Sequence, residues 1–240
     1  MVELRPRLHL LRLGFGQAYL WQDDDAWTLV DTGIPGSGPE IGEALHRLGL
    51  DTPAIRTIVA THGHEDHFGS AAQIRGWHGA PVHAHTGDAA VIRGEQRRRD
   101  PVLTAFDAPI WEQLAASGVP DLDPPPCPVD VELHDGDRLD IGGGAQVLAV
   151  PGHTPGSIAL HLSEPGVLFT GDTVARTPDG EVILGVFNLD EDAMIEGFHR
   201  LAELDAETVC FGHGEPVVTG AGPVLRRAAA AHRRRPPAPR

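Results

Sequence analysis

The sequence predicts a layered α/β domain, and two observations support this fold class. Short apolar runs alternate with stretches of helical periodicity in both halves of the chain, with hairpin-like pairs of runs among them. The chain has 240 residues, 41% of them hydrophobic, so we expect one compact domain with a sizeable core. The 29 Gly and 21 Pro stay below the level typical of low-complexity disorder, and we exclude collagen-like, coiled-coil and disordered classes.

The elements of the first half follow from local pattern. Trp27–Val30 is an apolar run typical of a strand, and Pro39–Leu48 has apolar residues at the i, i+3, i+4, i+7 positions of an amphipathic helix. Ile55–Ala60 is rich in β-branched residues and is predicted as a strand. We then predict a helix over Phe68–Trp77 and a short strand over Pro81–Ala84.

The second half repeats this plan without a clear sequence repeat. A helix is predicted over Glu191–Leu204, with Asp190 or Asn188 as its N-terminal cap. The predicted strands are Gln146–Val150, Ile158–Leu162, Val167–Thr170 and Thr208–Phe211.

Residues 88–130 depart from the alternation of strands and helices. They carry four Arg, scattered aromatic residues and the run Pro124-Pro125-Pro126. We expect this segment to be an insertion that covers one edge of the sheet as a lid. Residues 1–225 then form the single domain, and residues 226–240 a helix end followed by an Arg/Pro tail.

The charge balance excludes several functions. The formal net charge is −15, and all 19 cationic residues are Arg. A chain without Lys has no lysine for Schiff-base chemistry or for a phosphate-binding P-loop. The negative net charge argues against nucleic acid as a partner, since such binding depends on clustered cations.

The chain also lacks membrane and redox signals. Its first residues show no apolar signal-peptide core, and no run approaches the roughly 20 apolar residues of a membrane span. We therefore expect a cytoplasmic protein with no membrane partner. Cys127 and Cys210 show no metal-binding or redox spacing, so we expect two unrelated reduced thiols.

Histidine is the unusual component of the composition, with 14 residues against two Met and one Tyr. Residues 61–67, Thr-His-Gly-His-Glu-Asp-His, place four potential metal ligands directly after an apolar strand. In an extended segment His62 and His64 point to the same side. Asp66 and His67 would lie at the first turn of the helix that follows. This spacing predicts a metal site rather than a chance polar loop.

Further candidate ligands follow other predicted strands. His153, Asp172 and His213 are each set off from a strand by a Gly, which lets the backbone turn sharply. Asp31 likewise follows the first predicted strand. Because ligand sites in α/β sheets collect where strands end, we expect these residues to meet His62 at one edge.

Five His and two Asp exceed the needs of one tetrahedral zinc ion but suit two metals that share a carboxylate. Imidazole and carboxylate ligands fit zinc, iron or manganese. Two cations about 3.5–4 Å apart would hold a bridging water, lower its pKa to roughly 7 and polarise a carbonyl or phosphoryl oxygen. This arrangement indicates a hydrolase, and no serine-elbow, Cys/His or dinucleotide-binding motif competes with it.

These motifs resemble those of the metallo-β-lactamase superfamily. Residues 61–67 are similar to its His-x-His-x-Asp-His signature, and the later Gly-His, Gly-Asp and Gly-His pairs come in the family's order. The early Asp31-Thr32-Gly33 turn matches as well. The resemblance implies a four-layer αβ/βα sandwich with the site along one edge of two packed sheets.

The resemblance also implies the role of each ligand. One metal would bind His62, His64 and His153, and the other would bind Asp66, His67 and His213. Asp172 would bridge the two, and Asp31 would orient ligand histidines by hydrogen bonding. The implied cofactors are two divalent ions, zinc foremost, with manganese or iron as alternatives.

We therefore predict a stand-alone hydrolase of a small ester, lactone or thioester, with the ligand set of the glyoxalase II and lactonase branches. A metal-bridging hydroxide would attack, and Asp66 or Asp172 would carry a proton to the leaving group. Asp172 stands where cysteine-containing lactamases have Cys. An acyl-homoserine lactonase is an alternative, although those enzymes usually place a Tyr between the positions of Asp172 and His213, and here there is none.

Two other classes stay open. A mononuclear non-haem iron dioxygenase resembling persulfide dioxygenases would use His62, His64 or His153 together with an Asp. A catalytically silent metal-binding protein is the second. One iron per chain and oxygen consumption would distinguish the dioxygenase from the hydrolase, which should hold two metals and consume no oxygen.

The expected partner is a small-molecule substrate, and we allow for a homodimer. Selectivity would come from the 88–130 insertion and from apolar residues around the metals, with Arg176 available to a substrate anion. The candidate substrate-binding residues are Tyr19, Phe68, Phe106, Trp111, Arg176 and Phe187.

Overall fold

The computed structural model describes residues 1–232, which form fourteen strands and seven α-helices. The strands are β1 (Val2–Arg5), β2 (Leu8–Arg12), β3 (Gln17–Asp23), β4 (Ala26–Val30), β5 (Ile55–Val59), β6 (Val82–His85), β7 (Val131–Leu133), β8 (Arg138–Leu139), β9 (Ala145–Ala149), β10 (Ile158–Leu162), β11 (Val167–Phe169), β12 (Val174–Arg176), β13 (Val182–Leu184) and β14 (Thr208–Cys210). The helices are α1 (Gly38–Arg47), α2 (Glu65–Phe68), α3 (Ala71–His78), α4 (Thr86–Ile92), α5 (Asp107–Ser117), α6 (Glu191–Ala202) and α7 (Ala221–Ala229).

Two sheets form the centre of the molecule. The first has the order β1-β2-β3-β4-β5-β6-β7, and the second has the order β14-β11-β10-β9-β8. In the first sheet β1 to β4 pair antiparallel, and β4 to β7 pair parallel. In the second sheet only β11 and β14 pair parallel. Strands β12 and β13 form a separate hairpin.

The layers arise because successive side chains along a strand pack on opposite faces of its sheet. In β4, Leu29 packs in a cluster with α1 and α3, whereas Val30 packs in the cluster shared by the two sheets. In β11, Leu168 packs against α6 and α7, whereas Phe169 faces the first sheet. Successive side chains point to opposite faces of a sheet, so each strand buries one face against helices and the other against its partner sheet. The result confirms the α/β class and the four-layer sandwich.

Helices cover both outer faces. Ile41 and Leu45 of α1 and Ile74 of α3 are buried against the first sheet. Phe198 of α6 and Leu225 of α7 are buried against the second. The predicted helix over Pro39–Leu48 and the predicted Asp190 cap are confirmed, since the Asp190 side chain accepts a hydrogen bond from the backbone N–H of Ala193 at 3.0 Å.

The predicted helix over Phe68–Trp77 is wrong at its start. It is divided into α2 and α3, with Gly69 and Ser70 between them. The Ser70 hydroxyl donates to the carbonyl of Ile34 at 2.7 Å and accepts from the N–H of Ser37 at 2.8 Å. Gly69 lies against Pro35 so closely that a Cβ would clash. The helix is therefore interrupted where it contacts the turn formed by residues 34–37, a segment more than 30 residues earlier in the sequence.

The sequence interpretation did not identify strands β1 to β3. Leu8, Leu10, Leu20 and Tyr19 are buried in strands with covered faces. The sequence of a strand that is buried on both faces is a continuous apolar run without alternation. Periodicity alone cannot distinguish such a strand from a buried helix.

The segment boundaries predicted from the sequence do not coincide with the ends of helices in the structure. Within residues 88–130, the first residues belong to α4, whose Ala89 and Ile92 are part of the core, and α5 follows after a connection. The predicted domain end at residue 225 falls inside α7. Residues 233–240 of the predicted tail lie outside the described residues. Within residues 1–232, no helix is long and apolar enough to cross a membrane.

The Asp190 cap provides a test of how α6 is held. Replacing Asp190 by Ala removes the acceptor for the Ala193 N–H, and we expect a loss of about 1 kcal/mol in the free energy of unfolding. Urea unfolding followed by circular dichroism measures this loss. Asp190→Asn keeps an acceptor and serves as the control with near-wild-type stability. Equal stability of the Ala variant and the wild type would show that the cap contributes nothing.

Candidate metal centre

Strand ends of both sheets supply the predicted ligands. The loop after β5 carries His62 and His64, and the short helix α2 that follows carries Asp66 and His67. From the second sheet, the remaining ligands follow β9, β11 and β14, in that order: His153, Asp172 and His213. The structure brings all seven side chains together at one edge of the sandwich.

The first ligand group consists of His62, His64 and His153, whose candidate ligand atoms lie within 4.8 Å of one another. The Nδ1 atom of His64 is 2.9 Å from the Nε2 atom of His153. The Nε2 atom of His62 is buried and has no hydrogen-bond partner. Three ring nitrogens therefore converge on one point.

The second ligand group consists of Asp66, His67 and His213, again within 4.8 Å of one another. The Oδ2 atom of Asp66 lies 3.1 Å from Nε2 of His213 and 3.5 Å from Nε2 of His67. His67 is fully buried, whereas the His213 side chain is about one third exposed. The second group is therefore the more open of the two.

Asp172 lies between the two groups. Its Oδ2 atom is 3.6 Å from Nε2 of His153 in the first group and 3.4 Å from Nε2 of His213 in the second. Its Oδ1 atom is 3.4 Å from Nε2 of His67. One carboxylate thus faces ligands of both groups, as a bridging ligand must.

The donor atoms fit divalent cations. The Nε2 atoms of His62 and His67 and the Oδ1 atom of Asp172 are buried without a hydrogen-bond partner. Leaving such groups unsatisfied costs free energy, which a shared cation would recover. Imidazole nitrogens and carboxylate oxygens are ligands that zinc, manganese and iron accept.

The first group is already in the protonation state that binds metal. Burial lowers the pKa of His62 and His64 well below the usual value and lowers that of His153 as well. Neighbouring imidazoles add to the shift in His62 and His64. Neutral imidazole has a free lone pair, so these three side chains bind a cation without losing a proton.

The second group holds protons instead. Burial lowers the pKa of His213, but Asp172 and Asp66 outweigh burial and raise it to about 10. The same two carboxylates raise the pKa of His67 well above its usual value, again against burial. Burial raises the pKa of Asp66 and Asp172, yet the two histidines overcome this and keep both carboxylates ionised.

Asp31, which the resemblance implies as an orienting residue, is hydrogen-bonded to residues of the histidine loop. Its Oδ2 atom accepts from His67 Nδ1 at 2.8 Å and from the Thr61 hydroxyl at 2.8 Å, and its Oδ1 atom accepts from the Thr61 N–H at 2.7 Å. The Asp31 backbone has φ +61°, an uncommon conformation for a residue other than Gly. This strained turn aims the carboxylate at the histidine loop.

Asp88 is a second supporting carboxylate, and the sequence interpretation missed it. It is buried, and its oxygens accept from the N–H of Gly63 at 2.7 Å, the hydroxyl of Thr154 at 2.5 Å and the N–H of Gly156 at 2.8 Å. It therefore joins the His62–His64 loop to the His153 loop. No local motif marks this residue, because its partners lie on two distant segments.

Asn188 was predicted as a possible helix cap and has another role. Its Oδ1 atom lies 3.2 Å from Nδ1 of His153, and its amide donates to the carbonyl of Gly185. The backbone N–H groups of Leu189 and Asp190 donate to the carbonyl of Gly152. The start of α6 therefore fixes both the ring and the loop of His153.

The glycines before the ligands serve two different purposes. Gly152 and Gly171 have φ values of +132° and +50°, which agrees with the predicted sharp turns. Gly212 instead allows close approach, because a Cβ there would overlap the Asp172 carboxylate. Gly185 is packed against the backbone carbonyl of Asp172 in the same way. Glycine contacts thus confine Asp172 from two sides.

A cavity of about 390 Å³ opens next to the ligands. It is lined by ligand atoms of both groups, by α5 and by the loop before α6. Of the predicted substrate residues, Trp111 and Phe187 line this cavity, and their rings are 5.0 Å apart. Helix α5, from the segment predicted as a lid, therefore forms one wall of the cavity.

The structure places the other predicted substrate residues elsewhere. Tyr19 is buried between the sheets and donates to the Phe211 carbonyl, and Phe68 packs in the core of the first sheet. Phe106 is 62% exposed and is not part of the cavity wall. Arg176 donates to the Gly180 carbonyl and likewise lies outside the wall, so it is not placed to meet a substrate anion there.

Comparison with known proteins identifies similar sequences. The profile of the family described as "Metallo-beta-lactamase superfamily" matches residues 11–213. A "Probable metallo-hydrolase YflN" of Bacillus subtilis is 28% identical, and the match covers 90% of this chain and 86% of that protein. A "Hydroxyacylglutathione hydrolase" of Cereibacter sphaeroides is 30% identical over 73% of this chain, but the match spans only 54% of that relative.

Solved structures show the same fold. A metallo-β-lactamase family protein of Thermus thermophilus has a TM-score of 0.70 and 28% identity, covering 95% of this chain and 79% of that one. A metallo-β-lactamase of Cronobacter sakazakii has a TM-score of 0.72 at 22% identity, covering 96% of this chain and 90% of that one. The second likeness concerns the fold alone.

The role of Asp88 can be tested through metal affinity. Asp88→Ala removes three hydrogen bonds that hold the two histidine loops, and we expect about 10- to 100-fold weaker metal binding. The dissociation constant is measured by competition with a chromophoric chelator. Asp130→Ala is the matched control, because Asp130 also accepts a backbone N–H but lies at the opposite end of β6. Wild-type affinity in Asp88→Ala would refute this role.

Metal binding should also depend on pH. In the metal-free protein the second group carries protons at pH 7, since the pKa of His213 is about 10 and that of His67 is raised. A cation must displace these protons, so affinity rises with pH, by about tenfold per pH unit for each proton displaced. Titrations of chelator-stripped protein between pH 6 and 8 measure this slope. A dissociation constant that does not change over this range would contradict the protonation states given above.

Proposed function

We propose that this chain, which belongs to the metallo-β-lactamase superfamily, is a binuclear metal-dependent hydrolase of a small ester, lactone or thioester. The observation that carries this proposal is the pair of three-residue ligand groups, with Asp172 facing both, at the floor of a cavity of about 390 Å³. The names of the relatives, a metallo-hydrolase and a hydroxyacylglutathione hydrolase, support the reaction class.

Each ligand group would hold one divalent ion, with zinc as the first candidate. His62, His64 and His153 would hold one ion, and Asp66, His67 and His213 the other. Ions bound there supply Lewis-acid stabilisation of a carbonyl oxygen and lower the pKa of water toward neutrality. Three ligand rings would be kept oriented by hydrogen bonds at their Nδ1 atoms. The partners of His67, His62 and His153 are Asp31, Thr61 and Asn188, in that order.

The overall reaction is addition of water across an acyl bond. The oxygen of water bonds to the acyl carbon, the bond from that carbon to the leaving oxygen or sulfur breaks, and one proton of water ends on the leaving group. Asp66 and Asp172 are the two carboxylates at the cavity floor, and their Oδ2 atoms both lie close to His213 Nε2. We assign the relay of this proton to one of these carboxylates.

The second ligand group favours hydrolysis over the one-iron dioxygenase. A mononuclear site needs no counterpart to Asp66, His67 and His213, yet these residues are as closely placed as the first group. Elemental analysis of protein purified without added metal, together with an oxygen electrode, separates the two functions. We expect about two zinc or manganese ions per chain and no oxygen consumption. One iron per chain with oxygen uptake would overturn the proposal.

Asp172 provides the mutational test. Asp172→Ala removes the carboxylate that faces both groups, so we expect hydrolysis of an ester, lactone or thioester panel to fall by about 100-fold or more. Initial rates and metal content are measured on the same preparations. Asp179→Ala is the control, since that carboxylate is fully exposed and bonded only within its own turn. Unchanged turnover in Asp172→Ala would show that catalysis does not use this bridge.

A further inference from the structure

Most of the cavity wall is hydrocarbon. Helix α5 contributes Ile110, Trp111 and Leu114, and the loop before α6 contributes Val186 and Phe187. Phe15 of the loop before β3 adds a further aromatic ring, 5.8 Å from the ring of His213. A substrate group that extends from the metal centre into this cavity contacts apolar side chains, which stabilise it in proportion to its own apolar area.

The one arginine described in this wall has its charge paired within the protein. Among the described lining residues the one arginine is Arg98, and its Nε atom donates to Oε1 of Glu65 at 2.5 Å. Both side chains are largely buried, at 18% and 14% exposure. Arg98 also donates to the carbonyl of Pro120 at 3.0 Å, has Asp100 at 3.7 Å, and lies over the Trp111 ring at 5.9 Å. Its charge is therefore paired with Glu65, and two of its N–H groups donate to protein acceptors.

The apolar character continues outside the cavity. The described chain has six exposed large hydrophobic residues, and four of them fall between residues 102 and 110: Val102, Leu103, Phe106 and Ile110. Ile110 belongs both to this set and to the cavity wall. Phe106 is four residues earlier, one helical turn away at the start of α5. Ile110 therefore connects the apolar cavity wall with this exposed apolar segment.

The whole chain disfavours anionic ligands as well. Its formal net charge is −15, so the long-range field opposes the approach of a negatively charged substrate. A substrate with several carboxylates would meet this field and then find no unpaired arginine in the described cavity wall.

We infer that the cavity selects a substrate whose group next to the scissile bond is an uncharged, extended apolar chain, and that Glu65 enforces this selection by neutralising Arg98. This inference rests on the proposed function and specifies its substrate class. Glutathione carries two carboxylates, so glutathione thioesters, the substrates in the name of one relative, do not fit this cavity. Glu65 acts as a specificity-determining residue, placed in the sequence between the ligands His64 and Asp66.

The first test uses matched substrates of the ester, thioester or lactone class that the protein hydrolyses. The three compounds carry a four-carbon chain, an eight-carbon chain, and an eight-carbon chain that ends in a carboxylate. We expect kcat/KM to rise by about tenfold or more from four to eight carbons, because each methylene is buried against the wall. The terminal carboxylate should abolish this gain. Equal kcat/KM for the two eight-carbon compounds would overturn the inference.

The second test reverses the charge preference. Glu65→Gln frees Arg98, and we expect about tenfold higher kcat/KM for the carboxylate-ended compound relative to wild type, mainly through a lower KM. The double variant Glu65→Gln/Arg98→Gln should lose this gain. Arg99→Gln, in the exposed neighbouring position, is the control for removal of a nearby cation. No gain in Glu65→Gln with intact metal content would refute the role of Glu65.

Binding without turnover separates the two proposals. Octanamide and its analogue with a terminal carboxylate are not expected to be hydrolysed, and their binding is followed by tryptophan fluorescence, with Trp111→Phe identifying the signal. Preferential binding of octanamide, with no hydrolysis of any acyl compound, would support the cavity assignment and overturn the hydrolase. Equal binding of both amides alongside active hydrolysis would overturn the cavity assignment alone.

Discussion

Seven candidate metal ligands face one another at the edge of the sandwich, and holding them there is the constraint on which the rest of the structure depends. Nitrogen and oxygen atoms that are buried without partners destabilise a fold unless a cation or a supporting network offsets the cost. Two carboxylates outside the ligand set provide much of that network. Asp31 accepts hydrogen bonds directly from His67 and from Thr61, and Asp88 joins loops that start from different sheets.

The layered fold and the meeting of the candidate ligands at one edge could be predicted from the sequence, because both leave local signals. His62 to His67 form a dense motif, and residues such as Leu29 and Val30 alternate along a strand. Asp88 and Asn188 could not be predicted, since each is defined by partners on segments brought near only by folding. Tyr19 and Phe68 were predicted to contact substrate, but the fold buries both in the hydrophobic core. An aromatic residue near a motif in sequence can serve the core instead of the substrate.

The proposed metal ligands and the proposed specificity-determining residue are neighbours in this chain. Within His64-Glu65-Asp66, the outer residues belong to the two ligand groups, and the middle residue pairs with Arg98 of the segment that leads to α5. The same short helix α2 therefore carries the candidate ligands Asp66 and His67 as well as Glu65, which lines the cavity. A change in the lid segment at Arg98 would leave Glu65 as an unpaired carboxylate beside the centre, which restricts how freely that segment can vary.

The division of ligands between the sheets has a mechanical consequence. The first sheet and its loops supply four ligands and the second supplies three, so the centre spans the seam where the sheets pack, for example at the Tyr19 and Phe169 rings, 5.5 Å apart. Each ligand group contains residues from both sheets, so a small slide of one sheet over the other changes distances within each group while each sheet keeps its own hydrogen bonds. The geometry of the candidate centre therefore depends on the alignment of the two sheets, and loosened packing at this seam would release the proposed metal ions before the protein unfolds.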